Sequence, residues 1–104
     1  MRSKPKGSKA EVVAQLRALE QPLRERGLAS LALFGSFSRG EAGPASDVDV
    51  LVEVVADAPF SLTDLVAMKD FLEDRLGRPV DVVTKEGLEP LIRDRVLREA
   101  ETVF

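Results

Sequence analysis

Two aspartates stand one residue apart in DVDVLVEVV, Asp47 to Val55, at the mouth of a run that is otherwise largely apolar. Side chains on a strand alternate between faces, so Asp47 and Asp49 point one way while Val48, Val50 and Val52 point the other. Like charges this close repel, and without a cation between them one would hold its proton. Two carboxylates on one strand face are what Mg²⁺ takes from a protein, leaving its other positions to water and substrate phosphates. The same SDVD tetrapeptide is also compatible with an exposed strand end whose acids are simply solvated.

A third acid extends the set. Asp81 stands between Val80 and Val82 in PVDVVT, Pro79 to Thr84, and a neighbouring strand pairing would bring it beside Asp47 and Asp49. Three acids on one sheet face would hold one or two divalent ions; without that pairing Asp81 is a charge on an exposed strand face. Gly35 and Ser36 follow an apolar run directly. Glycine removes the Cβ that would block an approaching phosphate, the N–H groups of a starting helical turn carry partial positive charge, and the serine hydroxyl can bond a phosphate oxygen. Alone, a Gly-Ser pair is an ordinary turn. Arg39 is the natural counter-charge for a phosphate tail over that turn, or else a surface partner for Glu41. Glu53 shares the parity of the two aspartates but lies about 13 Å from Asp49 at ~3.3 Å per residue, too far for the same ion.

What is missing narrows the chemistry further. The 104 residues include no Cys and no His, which removes disulfides, thiolate nucleophiles, imidazole bases, Ser-His-Asp triads and His or Cys metal ligands. Carboxylates, hydroxyls, Lys, Arg and metal ions remain. With no Trp or Tyr and five Phe, stacking platforms for single-stranded nucleic acid are poorly supplied. A net charge of −3 argues against a duplex-binding module. The basic cluster Arg2, Lys4, Lys6 and Lys9 is either a solubilising arm or a nucleic-acid contact. No apolar run approaches the ~20 residues of a membrane span, and MRSKPKGSK has no apolar region behind its charges, so the expectation is a cytoplasmic protein without a secretory signal.

The elements that must position these residues follow from periodicity. Ser8 to Glu11 forms a capping-box pattern, and Val12, Val13, Leu16, Leu19 and Leu23 recur at helical spacing, predicting a helix from about Lys9 toward Arg26 that Pro22 kinks or divides. Leu28 to Phe34 is a buried strand and Asp47 to Val55 a second, joined through a turn carrying Gly40, Gly43 and Pro44. Ser61 to Asp64 caps a long helix with the stripe Leu65, Met68, Leu72 and Leu76, closed by Gly77. A third strand spans Pro79 to Thr84, a final helix Leu88 to Ala100, and Glu101 to Phe104 returns as a short edge strand. The order predicts one α/β (α+β) domain with a small mixed sheet packed by helices on one side.

GSFSRG, then SDVDVLVE, then PVDVVT together resemble the minimal nucleotidyltransferases of the DNA polymerase beta superfamily. The resemblance covers nearly all the chain after the basic tail, dividing it into a flexible arm at 1–8 and a minimal nucleotidyltransferase domain at 9–104 with a polymerase beta palm-like fold. It implies that Asp47, Asp49 and Asp81 hold Mg²⁺, as two ions, with Asp81 also helping to deprotonate the acceptor. Gly35 and Ser36 would hold the triphosphate of ATP, with Arg39 beside them. Stand-alone domains of this kind accompany HEPN-domain ribonuclease toxins, which implies an antitoxin that places AMP on a toxin tyrosine. A non-catalytic antitoxin that covers its partner, and nucleotide transfer to a small molecule, are the alternatives. A homodimer or a mixed complex both remain open, and Phe37, Phe60 and Phe104 are candidates for either a docking patch or the core.

Overall fold

The computed structural model describes residues 9–40, 46–57 and 59–104. Helices α1 (Lys9–Ala18) and α2 (Glu20–Glu25) precede strand β1 (Leu28–Phe34), the single turn α3 (Ser36–Arg39) and strand β2 (Val48–Val54). Helix α4 (Leu62–Leu76), strand β3 (Val80–Thr84), helix α5 (Pro90–Glu99) and the two-residue strand β4 (Glu101–Thr102) complete the order. The Ser8 cap, Arg2, Lys4 and Lys6 of the basic cluster, and Glu41, Gly43 and Pro44 lie outside the described residues; Lys9 opens α1 and pairs with Glu101 at 2.7 Å.

Pro22 divides the first helical segment, as its chemistry requires. It has no N–H to give the carbonyl of Ala18, and its ring crowds that group. The chain tightens instead at Leu19, whose N–H reaches Leu16 O at 3.1 Å before Leu23 N–H resumes the ladder to Leu19 O at 3.0 Å. Helix α4 starts on a reciprocal cap: Asp64 N–H donates to Ser61 Oγ (3.2 Å) and Ser61 N–H to Asp64 Oδ2 (2.7 Å). It closes at Gly77 in the left-handed region, φ 71°.

The strands form one mixed sheet in the order β3-β2-β1-β4. β1 runs antiparallel to β2 and β4, while β2 and β3 are parallel, which requires a crossover, supplied here by α4. Val48, Val50 and Val52 turn their side chains into the main core with Leu31, Leu33 and Val80, against Val12, Leu16, Leu23, Met68 and Leu72. Each fully buried side chain of this kind contributes about 1.5–3 kcal/mol.

The opposite face is also covered, where the sequence pattern led us to expect helices on one side alone. Leu88 and Val96 pack there on Leu51, Ala32, Phe34 and Val83, so α5 lies across the face that carries the odd-numbered residues of β2. That face holds the acids, and α5 roofs part of it. Phe37 is buried, and Phe60 and Phe104 pack against the main core, which resolves those three phenylalanines as core residues. Among the described residues no helix is long and apolar enough to cross a membrane.

Replacing Ser61 with Ala removes one half of the α4 cap. Thermal unfolding should show a loss of about 1 kcal/mol, or roughly 4–8 °C for a domain of this size.

Candidate active site

β2 delivers Asp49 to the middle of the sheet, where its register partners are Phe34 on β1 and Asp81 on β3. Paired positions on adjacent strands lie about 5 Å apart and share a face, so the two carboxylates stand side by side. Asp47 precedes the strand by one residue, exposed at its mouth. Burial holds the Asp49 carboxyl above its ordinary value, the charges of Asp81 and Asp47 push it further the same way, and Arg39 opposes them.

Gly35 closes the site from the β1 side. Its φ of 76° and ψ of −151° belong to a region open essentially to glycine. A Cβ there would overlap Asp49 Oδ2 and come within 3.1 Å of Asp49 Cγ. The backbone of the Gly35-Ser36 turn therefore lies directly against the Asp49 carboxylate, and Ser36 opens α3 beside it.

Three further contacts fix the strand ends that carry the acids. Glu73 Oε2 on α4 accepts from Val80 N–H and from Lys69 Nζ, both at 2.9 Å; Lys69 first, and the Val80 amide second, hold the Glu73 carboxyl below its ordinary value. Val48 N–H donates to Pro79 O at 3.0 Å. Arg78 Nη1 donates to Ser46 O at 3.2 Å, while its guanidinium lies 5.1 Å from the centre of the Phe37 ring. Arg78 thus links α3, the start of β3 and the residue preceding Asp47.

α3 is tied in turn to α5. Ser38 Oγ donates to Glu99 O, and Arg39 Nη1 donates to Glu99 Oε2 at 3.2 Å. Arg39, expected as a phosphate counter-charge or a Glu41 partner, is held by Glu99 at the rim of the site, and Glu41 lies outside the described residues. Between the sheet and α5 runs a groove made of two adjoining cavities. The larger, about 390 Å³, is lined by Asp49, Asp81, Val83, Gly87, Glu89 and Ile92 among others. The smaller, about 210 Å³, includes Gly35, Arg39, Arg95 and Glu99, and both share Phe34, Ile92 and Val96. Glu53 is at the far end of β2, where it faces Ser30 Oγ at 3.3 Å and Lys85 Nζ at 3.6 Å.

Sequence reasoning missed the α5 contribution of Ile92, Arg95 and Glu99. The spacing of Ile92, Arg95, Val96 and Glu99 does place them along one side of a helix, but nothing local says that this side faces the acids.

The donor chemistry suits a hard divalent cation. Asp49 and Asp81 are paired oxygen donors that form no ion pair among the described residues, and their mutual repulsion would be relieved by a cation. The described residues offer a pair and not the expected triad: among them no group of three His, Cys, Asp or Glu side chains is placed to hold a metal ion, because Asp47 sits exposed at the mouth of β2, so oxygens from another molecule would be needed to complete a coordination shell.

With this geometry in place, the family follows from comparison. The nucleotidyltransferase domain model matches residues 16–103. The chain belongs to the nucleotidyltransferase family. Protein adenylyltransferase MntA of Thermococcus cleftensis is 42% identical over 90 residues, covering 86% of this chain and 89% of the relative. A solved structure named as a minimal nucleotidyltransferase shares 35% identity at a TM-score of 0.79, covering 94% of this chain and 98% of that one. The nucleotidyltransferase also shares its fold with a chain in a complex of MNT antitoxin and tri-AMPylated Shewanella oneidensis HEPN toxin, at a TM-score of 0.67 and 20% identity, covering 89% and 71% of the two chains.

Two outcomes test the geometry. Gly35→Ala should cost about 1–3 kcal/mol in backbone strain and displace Asp49, seen as a lower thermal midpoint; an unchanged midpoint would contradict the close approach. For Asp49, the raised value means that the fold favours its protonated form. Its contribution to stability is complete below its ordinary value of 3.8 and is lost as the pH rises through the higher folded value. Asp49→Asn, which cannot ionise, should therefore raise the thermal midpoint of the metal-free protein at pH 7 and lose that advantage below pH 3.8.

Proposed function

We propose that this nucleotidyltransferase moves AMP from ATP to a protein hydroxyl in a Mg²⁺-dependent reaction, and that the acceptor is a tyrosine of a HEPN ribonuclease toxin silenced by the modification. The observation that carries this reading is the Asp49–Asp81 register pair at the floor of the groove, with Asp49 pressed against the Gly35 backbone. It sets two metal-suited carboxylates beside a turn that tolerates the close approach of phosphate. Support for the protein acceptor comes from the relative named protein adenylyltransferase MntA and from the fold shared with the AMPylated toxin complex. A reaction that consumes ATP would fit a cytoplasmic location.

In this reading Asp49 and Asp81 hold the metal and Asp47, at the mouth of β2, would join them once the ion is bound, with the nucleotide's phosphate oxygens filling the remaining positions. Gly35 and Ser36 hold the triphosphate through backbone N–H groups and the serine hydroxyl, and Arg39 offers charge to it in exchange for Glu99. Bound Mg²⁺ would lower the pKa of the acceptor hydroxyl and offset charge on the phosphates. The hydroxyl oxygen bonds to the α-phosphorus, the bond to the β-phosphate oxygen breaks, and pyrophosphate leaves with the electron pair. Asp81, exposed at the groove and beside Asp49, accepts the hydroxyl proton. No histidine is required.

Ile92 lines the larger cavity and is 44% exposed, and Leu91, next to it on α5, is 94% exposed; an acceptor protein would rest on this part of α5. The same patch serves a non-catalytic antitoxin that only covers its partner, so activity must separate the two readings. Incubation with ATP, Mg²⁺ and the purified HEPN partner should add AMP to a tyrosine, detected by intact mass and peptide mapping. Asp81→Asn should slow the transfer by roughly 10²–10⁴-fold, and a chelator should stop it. An unmodified partner, or an Asp49→Ala variant that neutralises the toxin as well as the wild type, would contradict the catalytic reading.

A further inference from the structure

Arg95 reaches the groove from α5, opposite Arg39 on α3, and the two share one carboxylate. Arg95 Nε lies 3.5 Å from Glu99 Oε1, and Arg39 Nη1 lies 3.2 Å from Glu99 Oε2. Glu99 is the recessed member at 23% exposure, while Arg39 and Arg95 project at 37% and 67%. Arg39 and Arg95 converge on this one carboxylate from opposite sides and line a cavity with Gly35. Arg95 commits only its Nε to Glu99, and at a long distance; its two terminal nitrogens have no partner among the described residues.

The placement of this cavity decides what it suits. It adjoins the acid-lined cavity through Phe34, Ile92 and Val96. A nucleoside triphosphate whose α-phosphorus sits over Asp49 and Asp81, and whose tail follows the Gly35-Ser36 turn, runs its outer phosphates between the two arginines. A guanidinium fork matches a phosphate in geometry as well as charge. We propose that Arg95 is a nucleotide-binding residue that grips the β- and γ-phosphates from the α5 side of the groove. The inference rests on the triphosphate reading of the site given above. Glu99 keeps the two arginines converged until the phosphates engage the terminal nitrogens of Arg95. Negative charge accumulates on the departing pyrophosphate, so the same contact steadies the leaving group.

Calorimetry in the presence of Mg²⁺ tests this with three probes: ATP, inorganic tripolyphosphate and AMP. Arg95→Ala should weaken ATP and tripolyphosphate by about tenfold, the scale of one charge-assisted contact, and leave AMP unchanged. Arg93→Ala removes the same charge from the same helix two positions away, where the side chain points to a different side, and should bind all three probes like the wild type. The inference is overturned if Arg95→Ala binds ATP as the wild type does, or if Arg93→Ala weakens ATP equally, because the effect would then be one of net charge. A wild-type protein that takes up no ATP overturns it together with the reading on which it rests.

Discussion

The packing of valines forces two like charges together, and the rest of the site is built around that constraint. Val48, Val50, Val52 and Val80 are all nearly or completely buried, and slipping either strand by one residue would turn every one of them to the wrong face. At about 5 Å the repulsion between Asp49 and Asp81 amounts to roughly 1–3 kcal/mol between water-like and protein-like dielectric. Burial of four valines at about 1.5–3 kcal/mol each outweighs it. The fold can therefore hold an electrostatically unfavourable pair in place, with the Asp49 carboxyl held toward its protonated form by burial and by its acidic neighbours.

Around that pair, the neighbouring segments are tied to one another. Glu73 ties α4 to the first amide of β3, Arg78 ties β3 to α3 and to Ser46, and Glu99 ties α5 to α3. None of these contacts brings a carboxylate into the site; they hold in place the strands and the turn that do. Most are partly exposed and individually modest. Their value lies in convergence: the Gly35 turn, the Asp47–Asp49 segment and the Asp81 strand cannot drift independently.

Much of this was legible in the chain. The apolar run Leu28–Phe34 became β1 at the expected bounds, Ser61 and Gly77 capped α4 as their chemistry suggests, and the alternation around Asp81 correctly anticipated a strand. These are local signals, each readable within a few residues. The pairing of Asp81 with Asp49 needed a parallel alignment across α4, which periodicity permits but does not dictate. The α5 roof was not legible at all. Leu88 and Val96 announce an apolar stripe, yet only the three-dimensional path of the chain after Thr84 determines that the stripe settles on the acid-bearing face. For the same reason the contact of Arg39 with Glu99, sixty positions away, could not be read from the sequence.

The most direct test of the central claim is divalent-cation binding measured by calorimetry with a non-hydrolysable ATP analogue present, comparing the wild type with Asp81→Asn. If Asp49 and Asp81 act as one ligand pair, the wild type takes up Mg²⁺ saturably and the variant, with Asp49 intact, does so far more weakly. Equal uptake by both proteins would contradict the account.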